Sequence, residues 1–479
     1  MKKIIFVCIF LLGMFSLTGC NLQKEKTENL KQDKVDDTLI AKDLDVNTEA
    51  KPSVIPLEES AYEIVTGDNI TIAFAFVKDV IEENFDKLTQ SYQYDKLMKE
   101  AMNQSDTQKM IIYYNKQCGA LKEIMDAYII NSGTNQQVMI PVKFTNTDIN
   151  YCIVFDQNQN IIGFTYTDYS EKAKDKKIPN NIIEREYTFQ SDELEFAGTL
   201  TTPKEEGNYP VVILVHGSGA NDRDETIYQN KPFRDIAWAL AEQGIASYRY
   251  DKRTFLYPDI TASDKSFTVY DETINDAVAA AKMVSGLDNI DKSRVFILGH
   301  SLGGYLIPRI AELTPDVSGY IMMASPAQHM KYYIMDQYNF LVNEDGVVTT
   351  VEQTSLDAIK KQVKLIKKPD TIPENSIILG AYKNYWVDFN QYNAIKEAKN
   401  MKKSILVLQG ERDYQVTMKQ FNLWKKAFHN DDKWEFKSYK FLNHLMMEGK
   451  GKPSSMEYKN ASSVDQTVLL DIADFINKD

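Results

Sequence analysis

Arg294-Val295-Phe296-Ile297-Leu298-Gly299-His300-Ser301-Leu302-Gly303-Gly304-Tyr305-Leu306-Ile307-Pro308-Arg309-Ile310-Ala311-Glu312-Leu313 is the stretch from which the rest of the chain can be read. Arg294–Leu298 is a short β-rich apolar run, and Tyr305–Leu313 has helical spacing. Between them stands a serine flanked by glycines. A serine that projects from a sharp strand-to-helix turn sits in a strained backbone where the chain packs closely on itself, so its neighbours must lack Cβ on both sides. Ser301 is therefore the candidate nucleophile, and the N-terminus of the helix behind it favours developing negative charge.

Outward from this turn, residues 183–479 alternate short β-rich runs with helical patterns, which predicts a mostly parallel sheet with helices on both faces. An antiparallel pair, Ile183–Phe189 and Leu194–Leu200, leads into Val211–Val215, Ile245–Tyr250, Arg294–Leu298, Gly319–Ala324, Ile405–Gln409 and Glu435–Lys440. Helices are expected at Pro232–Gln243, with Pro in the first turn and Gly244 past the end, at Glu272–Ser285 and at Lys419–Phe428. The interval 327–400 is too long for an ordinary connection and is rich in helix formers and aromatics (Tyr332, Tyr333, Tyr338, Phe340, Tyr382, Tyr385, Trp386, Tyr392). It reads as a helical cap insertion.

Serine needs a base to take its proton and a carboxylate to orient that base, in the chain order serine, acid, histidine. Of the five histidines, His216 and His300 belong to other motif positions, His329 opens the insertion and His429 ends a helix. His444, just after the last strand, is the candidate base. The strand Ile405–Gln409 runs into Gly410-Glu411-Arg412-Asp413-Tyr414-Gln415-Val416, which makes Asp413 the candidate acid and Glu411 its rival. The oxyanion of a tetrahedral intermediate needs backbone N–H donors. Leu302 supplies one. The other is expected from His216-Gly217-Ser218-Gly219, with Ser218 favoured and Gly217 or Gly219 possible.

Residues 183–479 resemble the α/β-hydrolase superfamily. His216-Gly217-Ser218-Gly219-Ala220-Asn221-Asp222-Arg223-Asp224-Glu225, with Tyr250-Asp251-Lys252-Arg253, is similar to a carboxylesterase group near the dienelactone-hydrolase, acyl-CoA-thioester-hydrolase and prolyl-oligopeptidase-like branches. The acid loop, with its Gly-x-x-Asp-x-x-Val pattern, resembles that of the superfamily with Asp413 in the acid slot. That group continues Lys-Arg-Gly where this chain has Thr254. Asp222, Arg223, Asp251 and Arg253 read as an ion-paired scaffold behind the oxyanion loop. The resemblance implies acyl transfer without a cofactor: Ser301 attacks an ester carbonyl, the alcohol leaves, and water hydrolyses the acyl-enzyme with His444 again as base. A small-molecule ester is the expected substrate. A peptidase or acyltransferase with the same three residues, or a non-catalytic surface binding protein, is the alternative.

Upstream, Lys2 and Lys3 precede an apolar run, Ile4 to Phe15, with the length of a secretory signal rather than a membrane span. The following Leu17-Thr18-Gly19-Cys20 resembles the bacterial lipobox, which implies a signal peptide over 1–19, lipidation of Cys20, and an extracytoplasmic protein anchored to the bacterial cell membrane. Residues 20–67 are polar and almost free of aromatics, and read as a disordered tether spanning about 35–40 Å. Residues 68–170 read as a small α+β accessory domain: helices Ile72–Leu88 and Tyr92–Met102, then strands. Its layout resembles nuclear-transport-factor-like and cystatin-like folds. Cys118 and Cys152 could pair or remain buried thiols.

The 479 residues exceed what one core supports. A hydrophobic fraction of 43% with 26% charged residues excludes a polytopic membrane protein. A net charge of −13, with no basic face, excludes nucleic acid as a main partner. Oligomeric state is not legible.

Overall fold

The computed structural model describes residues 63–132, 135–169 and 176–478. The expected signal peptide, Cys20 and nearly all of the expected tether lie outside these residues. Two sheets organise the chain. The first has five antiparallel strands: β1 (Leu121–Ile124), β2 (Tyr128–Ser132), β3 (Asn135–Phe144), β4 (Ile149–Phe155) and β5 (Ile161–Asp168), in the order β1-β3-β4-β5, with β2 also pairing β3. Helix Asn69–Ile81 covers it, burying Ile72, Ala73, Phe76, Val77 and Val80 in one core with Val138, Ile140, Tyr151, Ile153 and Phe155.

Three details of this unit differ from the sequence expectation. The helix expected over Ile72–Leu88 breaks after Ile81, where Glu83 takes a positive φ of 58°, and restarts at Phe85. The helix expected from Tyr92 starts only at Lys96, because Tyr94 forms a bridge to Ile161 and the Asp95 side chain caps the helix by accepting from Met98 N–H. A further helix, Ser105–Cys118, was not anticipated: it buries only Ile111 and Cys118, too few apolar residues to print a pattern. Cys118 and Cys152 are free, buried thiols.

The second sheet has eight strands: β6 (Ile182–Ser191), β7 (Leu194–Pro203), β8 (Tyr209–Val215), β9 (Ala246–Tyr250), β10 (Ile290–His300), β11 (Gly319–Met323), β12 (Ser404–Gly410) and β13 (Trp434–Tyr439), ordered β13-β12-β11-β10-β8-β9-β7-β6. Strands β8 to β13 run parallel; β6 and β7 form the leading antiparallel hairpin, which joins through β9. The alternation of a strand divides this sheet's core in two. Val211, Ile213 and Val215 face one apolar cluster, while Val212 and Leu214 face the other. The chain leaves β8 toward β9, then returns to β10 on the other side. In open α/β sheets ligands bind outside the carboxyl ends of the strands at such a reversal, here the ends of β8 and β10.

The insertion is helical, with helices Ile334–Val342, Thr350–Ile366, Lys383–Gln391 and Ala394–Ala398. Tyr385, Trp386, Phe389 and Tyr392 are buried in the same cluster as Val211 and Ile213, so the aromatics of this segment continue the core of the sheet.

Candidate active site

All candidate residues lie at the carboxyl ends of parallel strands. Ser301 follows β10 and has φ 51° and ψ −114°, a conformation most side chains avoid. Met323 carbonyl accepts its N–H at 2.9 Å, and helix Leu302–Leu313 begins directly after it. The close approach that demands glycine is visible at Gly303, where a Cβ would lie 2.5 Å from Val215 carbonyl oxygen and 2.6 Å from that of His216. The Ser301 turn is thus pressed against the end of β8.

Asp413 and His444 meet. His444 Nδ1 stands 2.6 Å from Asp413 Oδ2, and both side chains are buried. The acid is fixed by its own loop: Gln415 and Val416 N–H each donate to Oδ1 at 2.8 Å, and Gln409 Nε2 donates to Oδ2 at 3.1 Å. A carboxylate held by three donors presents its remaining lone pair to the imidazole in one orientation. Glu411, the rival, is exposed and accepts from Ser438 Oγ instead. The His444 loop is folded by Asn443, whose Oδ1 accepts from Leu445 N–H at 3.0 Å and Met447 N–H at 3.2 Å.

His300, the residue before Ser301, touches the loop that carries His444. His300 Nε2 donates to His444 carbonyl oxygen at 3.0 Å, and the two rings lie 4.7 Å apart. Among the described residues the Ser301 hydroxyl makes no hydrogen bond of its own.

Of the proposed oxyanion donors, Gly217 is corrected by the structure: its N–H is already donated to Glu225 Oε1 at 2.7 Å. One hydrogen cannot serve both partners. Gly217 nonetheless abuts Ser301, since a Cβ there would stand 3.1 Å from Ser301 Cβ. The N–H groups of Ser218 and Leu302 are not taken by another protein group among the described residues.

Three features of the site escaped the sequence. The first is a buried pair at the residue before Ser301, with His300 Nδ1 2.8 Å from Glu225 Oε2 in a close contact that is not a linear hydrogen bond. Burial opposes a charged imidazole here, yet the Glu225 carboxylate prevails and holds His300 above its ordinary value; burial likewise opposes the carboxylate, and His300 holds it below its own. Both His300 nitrogens face acceptors, His444 carbonyl oxygen at Nε2 and Glu225 Oε2 at Nδ1. By contrast His216, whose Nε2 sits 3.0 Å from Asp222 carbonyl oxygen, is pushed down to about 4 by burial and stays neutral. The second is the chain Tyr385–Glu272–Lys252, treated below. The third is Thr254, where the resemblance led one to expect glycine: its Oγ1 donates to Gly219 carbonyl oxygen at 2.8 Å and ties down the oxyanion loop.

The expected scaffold is present in part. Arg223 pairs with Asp251 at 2.6 Å, and Arg253 with Asp276 at 2.5 Å. Asp222 has no ion pair among the described residues; it caps a turn by accepting from Thr226 N–H and Oγ1.

Comparison with known proteins accords with this geometry. Residues 209–450 match the family described as serine aminopeptidase, S33, and residues 73–164 match a family described only as a protein of unknown function, DUF3887. Esterase EstD of Thermotoga maritima is 32% identical over 414 residues, covering 85% of this chain and 95% of that protein. This alignment is longer than the eight-stranded unit and so takes in part of the N-terminal unit as well. Among solved structures, Est1E of Butyrivibrio proteoclasticus is 15% identical with a TM-score of 0.41, covering 61% of this chain and 98% of its own. The Pyrococcus furiosus esterase Pf2001 is 14% identical with a TM-score of 0.41, over 64% and 96%. Strand order, the strained serine turn, the family match and the full-length relative lead to one conclusion: the chain belongs to the serine aminopeptidase S33 family of α/β-hydrolases.

Proposed function

We propose that this protein is a serine hydrolase that cleaves carboxylic esters through an acyl-enzyme on Ser301. The observation that carries the reading is the 2.6 Å contact between Asp413 and His444 at the same sheet edge as the strained Ser301. Asp413 accepts from His444 Nδ1–H and so leaves Nε2 unprotonated, the tautomer a general base requires. Ser301 Oγ then attacks the carbonyl carbon as its proton passes to His444 Nε2. The oxyanion is met by Leu302 N–H and Ser218 N–H. His444 returns the proton to the leaving alcohol, and water repeats the sequence on the acyl-enzyme. The esters as substrate class are supported by the relative named an esterase, which spans nearly the whole chain.

The family name also describes an aminopeptidase, so amide hydrolysis is the second reading. Purified protein is offered p-nitrophenyl acyl esters and aminoacyl p-nitroanilides, and a fluorophosphonate labels the nucleophile. Ester turnover with the anilides inert, and labelling lost in Ser301→Ala, is the expected result. Turnover of anilides alone would move the assignment to a peptidase, and absence of labelling would remove the hydrolase reading. For location, we propose a lipid anchor at Cys20 on the outer face of a bacterial membrane, supported by the resemblance of Leu17–Cys20 to a lipobox. Radiolabelled palmitate incorporated by the full chain and lost in Cys20→Ala tests it; incorporation surviving the substitution refutes it.

A further inference from the structure

Lys252 is almost wholly buried, and its Nζ donates two hydrogen bonds at 2.7 Å: one to Glu272 Oε1, the other to Gly217 carbonyl oxygen. Glu272, fully buried, accepts on its other oxygen from Tyr385 Oη, also at 2.7 Å. Tyr385 belongs to helix Lys383–Gln391 of the insertion. Glu272 sits in a single π-helical turn, Tyr270–Ile274, of the kind that often marks functional positions. A buried lysine is costly unless paired, and this one is aimed at one particular peptide group.

That peptide joins Gly217 to Ser218. In a trans peptide the carbonyl and the following N–H point in opposite directions. An acceptor pulled toward Lys252 therefore turns Ser218 N–H the other way. Gly217 is also gripped from its own N–H by Glu225, so the peptides on both sides of its Cα are fixed. A cationic donor on the carbonyl further polarises the amide and makes its N–H a stronger donor, as hydrogen-bonded chains do in a low-dielectric interior.

Resting on the ester-hydrolase reading above, we propose that Lys252 is a positioning residue for the reaction. It clamps and polarises the Gly217–Ser218 peptide so that Ser218 N–H meets the oxyanion, and Glu272 and Tyr385 hold it in place from the insertion. The insertion is thereby wired to the oxyanion hole by three side chains, so that its packing sets reactivity as well as covering the core.

The test compares the wild-type chain with the Lys252→Met/Glu272→Gln double variant, which leaves no lone buried charge, and with Glu272→Gln and Tyr385→Phe alone. Readouts are kcat and KM on a p-nitrophenyl ester, inhibition by a trifluoromethyl ketone, whose hemiketal with Ser301 carries the oxyanion, and far-UV circular dichroism with thermal melting. Loss of a whole oxyanion donor costs about 10²–10³ in rate, so a misaimed one should lower kcat about 10- to 100-fold. KM should stay within about twofold, and ketone inhibition should weaken by the same factor as kcat/KM. A double variant that folds and keeps both kcat and ketone inhibition overturns the proposal. If it does not fold, the single variants decide: kcat lowered about threefold or more in either supports the clamp, and kcat unchanged in both overturns it. Wild-type protein that reacts with a fluorophosphonate but hydrolyses only amides overturns the ester reading alone; the double variant must then slow phosphonylation, which uses the same donors. Wild-type protein inert to fluorophosphonate overturns both.

Discussion

Glu225→Gln isolates the buried pair at His300, the residue before Ser301. The substitution keeps shape and an acceptor for Gly217 N–H but removes the charge facing His300. Two unit charges 2.8 Å apart attract by about 6 kcal/mol at an effective dielectric of 20, most of which desolvation of the two groups offsets. What remains on breaking such a pair is commonly about 3–5 kcal/mol, and the retained amide acceptor points to about 3. At about 2 °C per kcal/mol for a unit of this size, the melting temperature should fall by about 6 °C.

The pH dependence carries the sharper test. His300 is raised above its ordinary 6.5, so its stabilisation is complete below that pH and is lost as pH rises through the raised value. Glu225 is lowered below its ordinary 4.5, so its contribution is complete above that pH and is lost as pH falls through the lowered value. The gap between wild type and Glu225→Gln should thus be widest between about pH 4.5 and 6.5 and close as the solution turns alkaline. Thermal melts of both proteins from pH 4 to 10 measure it. A gap that is constant across the range, or widest at the alkaline end, would refute a charged His300–Glu225 pair.

Asp413→Asn should lower kcat by about 10⁴ by trapping the wrong His444 tautomer, whereas Glu411→Gln, at an exposed carboxylate, should leave kcat within about twofold; steady-state kinetics on one ester separates them. Gly303→Ala drives a Cβ to 2.5 Å from Val215 carbonyl oxygen and should cost about 3 kcal/mol or more, read as a lowered midpoint in urea. Cys118 and Cys152 are free and buried, so denatured protein beginning at Asn21 should titrate two thiols, and reductant should leave its melting temperature unchanged.

The eight-stranded sheet was legible because central parallel strands are buried on both faces and read as unbroken apolar runs, as Val211–Val215 does. The leading hairpin and the helical insertion were legible by pattern and by length. The break at Glu83, where the backbone takes a positive φ, and the late helix start after Tyr94, which bridges to Ile161, were not, since backbone conformation and tertiary pairing override the local helical pattern. At the site, Ser301, Asp413 and His444 stand out because each follows a strand with turn chemistry of its own. His300 was set aside as a motif filler: its partner Glu225 lies 75 positions away, and nothing local announces the pairing. Tyr385 was read as an aromatic among aromatics, and only the packed insertion shows that its hydroxyl finds Glu272. Gly217 as the alternative donor failed for the same reason, because its N–H is claimed by the side chain of Glu225.

The concentration of buried charge around one loop has a physical reason that stability alone does not supply. Arg249 pairs with Asp224 at 2.8 Å and Glu184 at 2.7 Å, Arg223 with Asp251, Lys252 with Glu272, and His300 with Glu225, all within or against the segments 216–225 and 249–253. Well-packed apolar residues could replace such pairs at little cost or with a gain in stability. They could not, however, fix the loop in register, because apolar contacts are non-directional and tolerate sliding. A carboxylate or guanidinium bond defines both distance and angle. Misplacing a reacting group by about 1 Å costs on the order of 10²-fold in rate. The residues that must not slide are Gly217 and Ser218, each within one residue of a charged or hydroxyl anchor: Glu225 on the Gly217 N–H, Lys252 on the Gly217 carbonyl and Thr254 on the Gly219 carbonyl. On this argument the ion pairs serve the geometry of the loop, and swapping any of them for an apolar pair of equal volume should leave the melting temperature unchanged or raise it while lowering kcat.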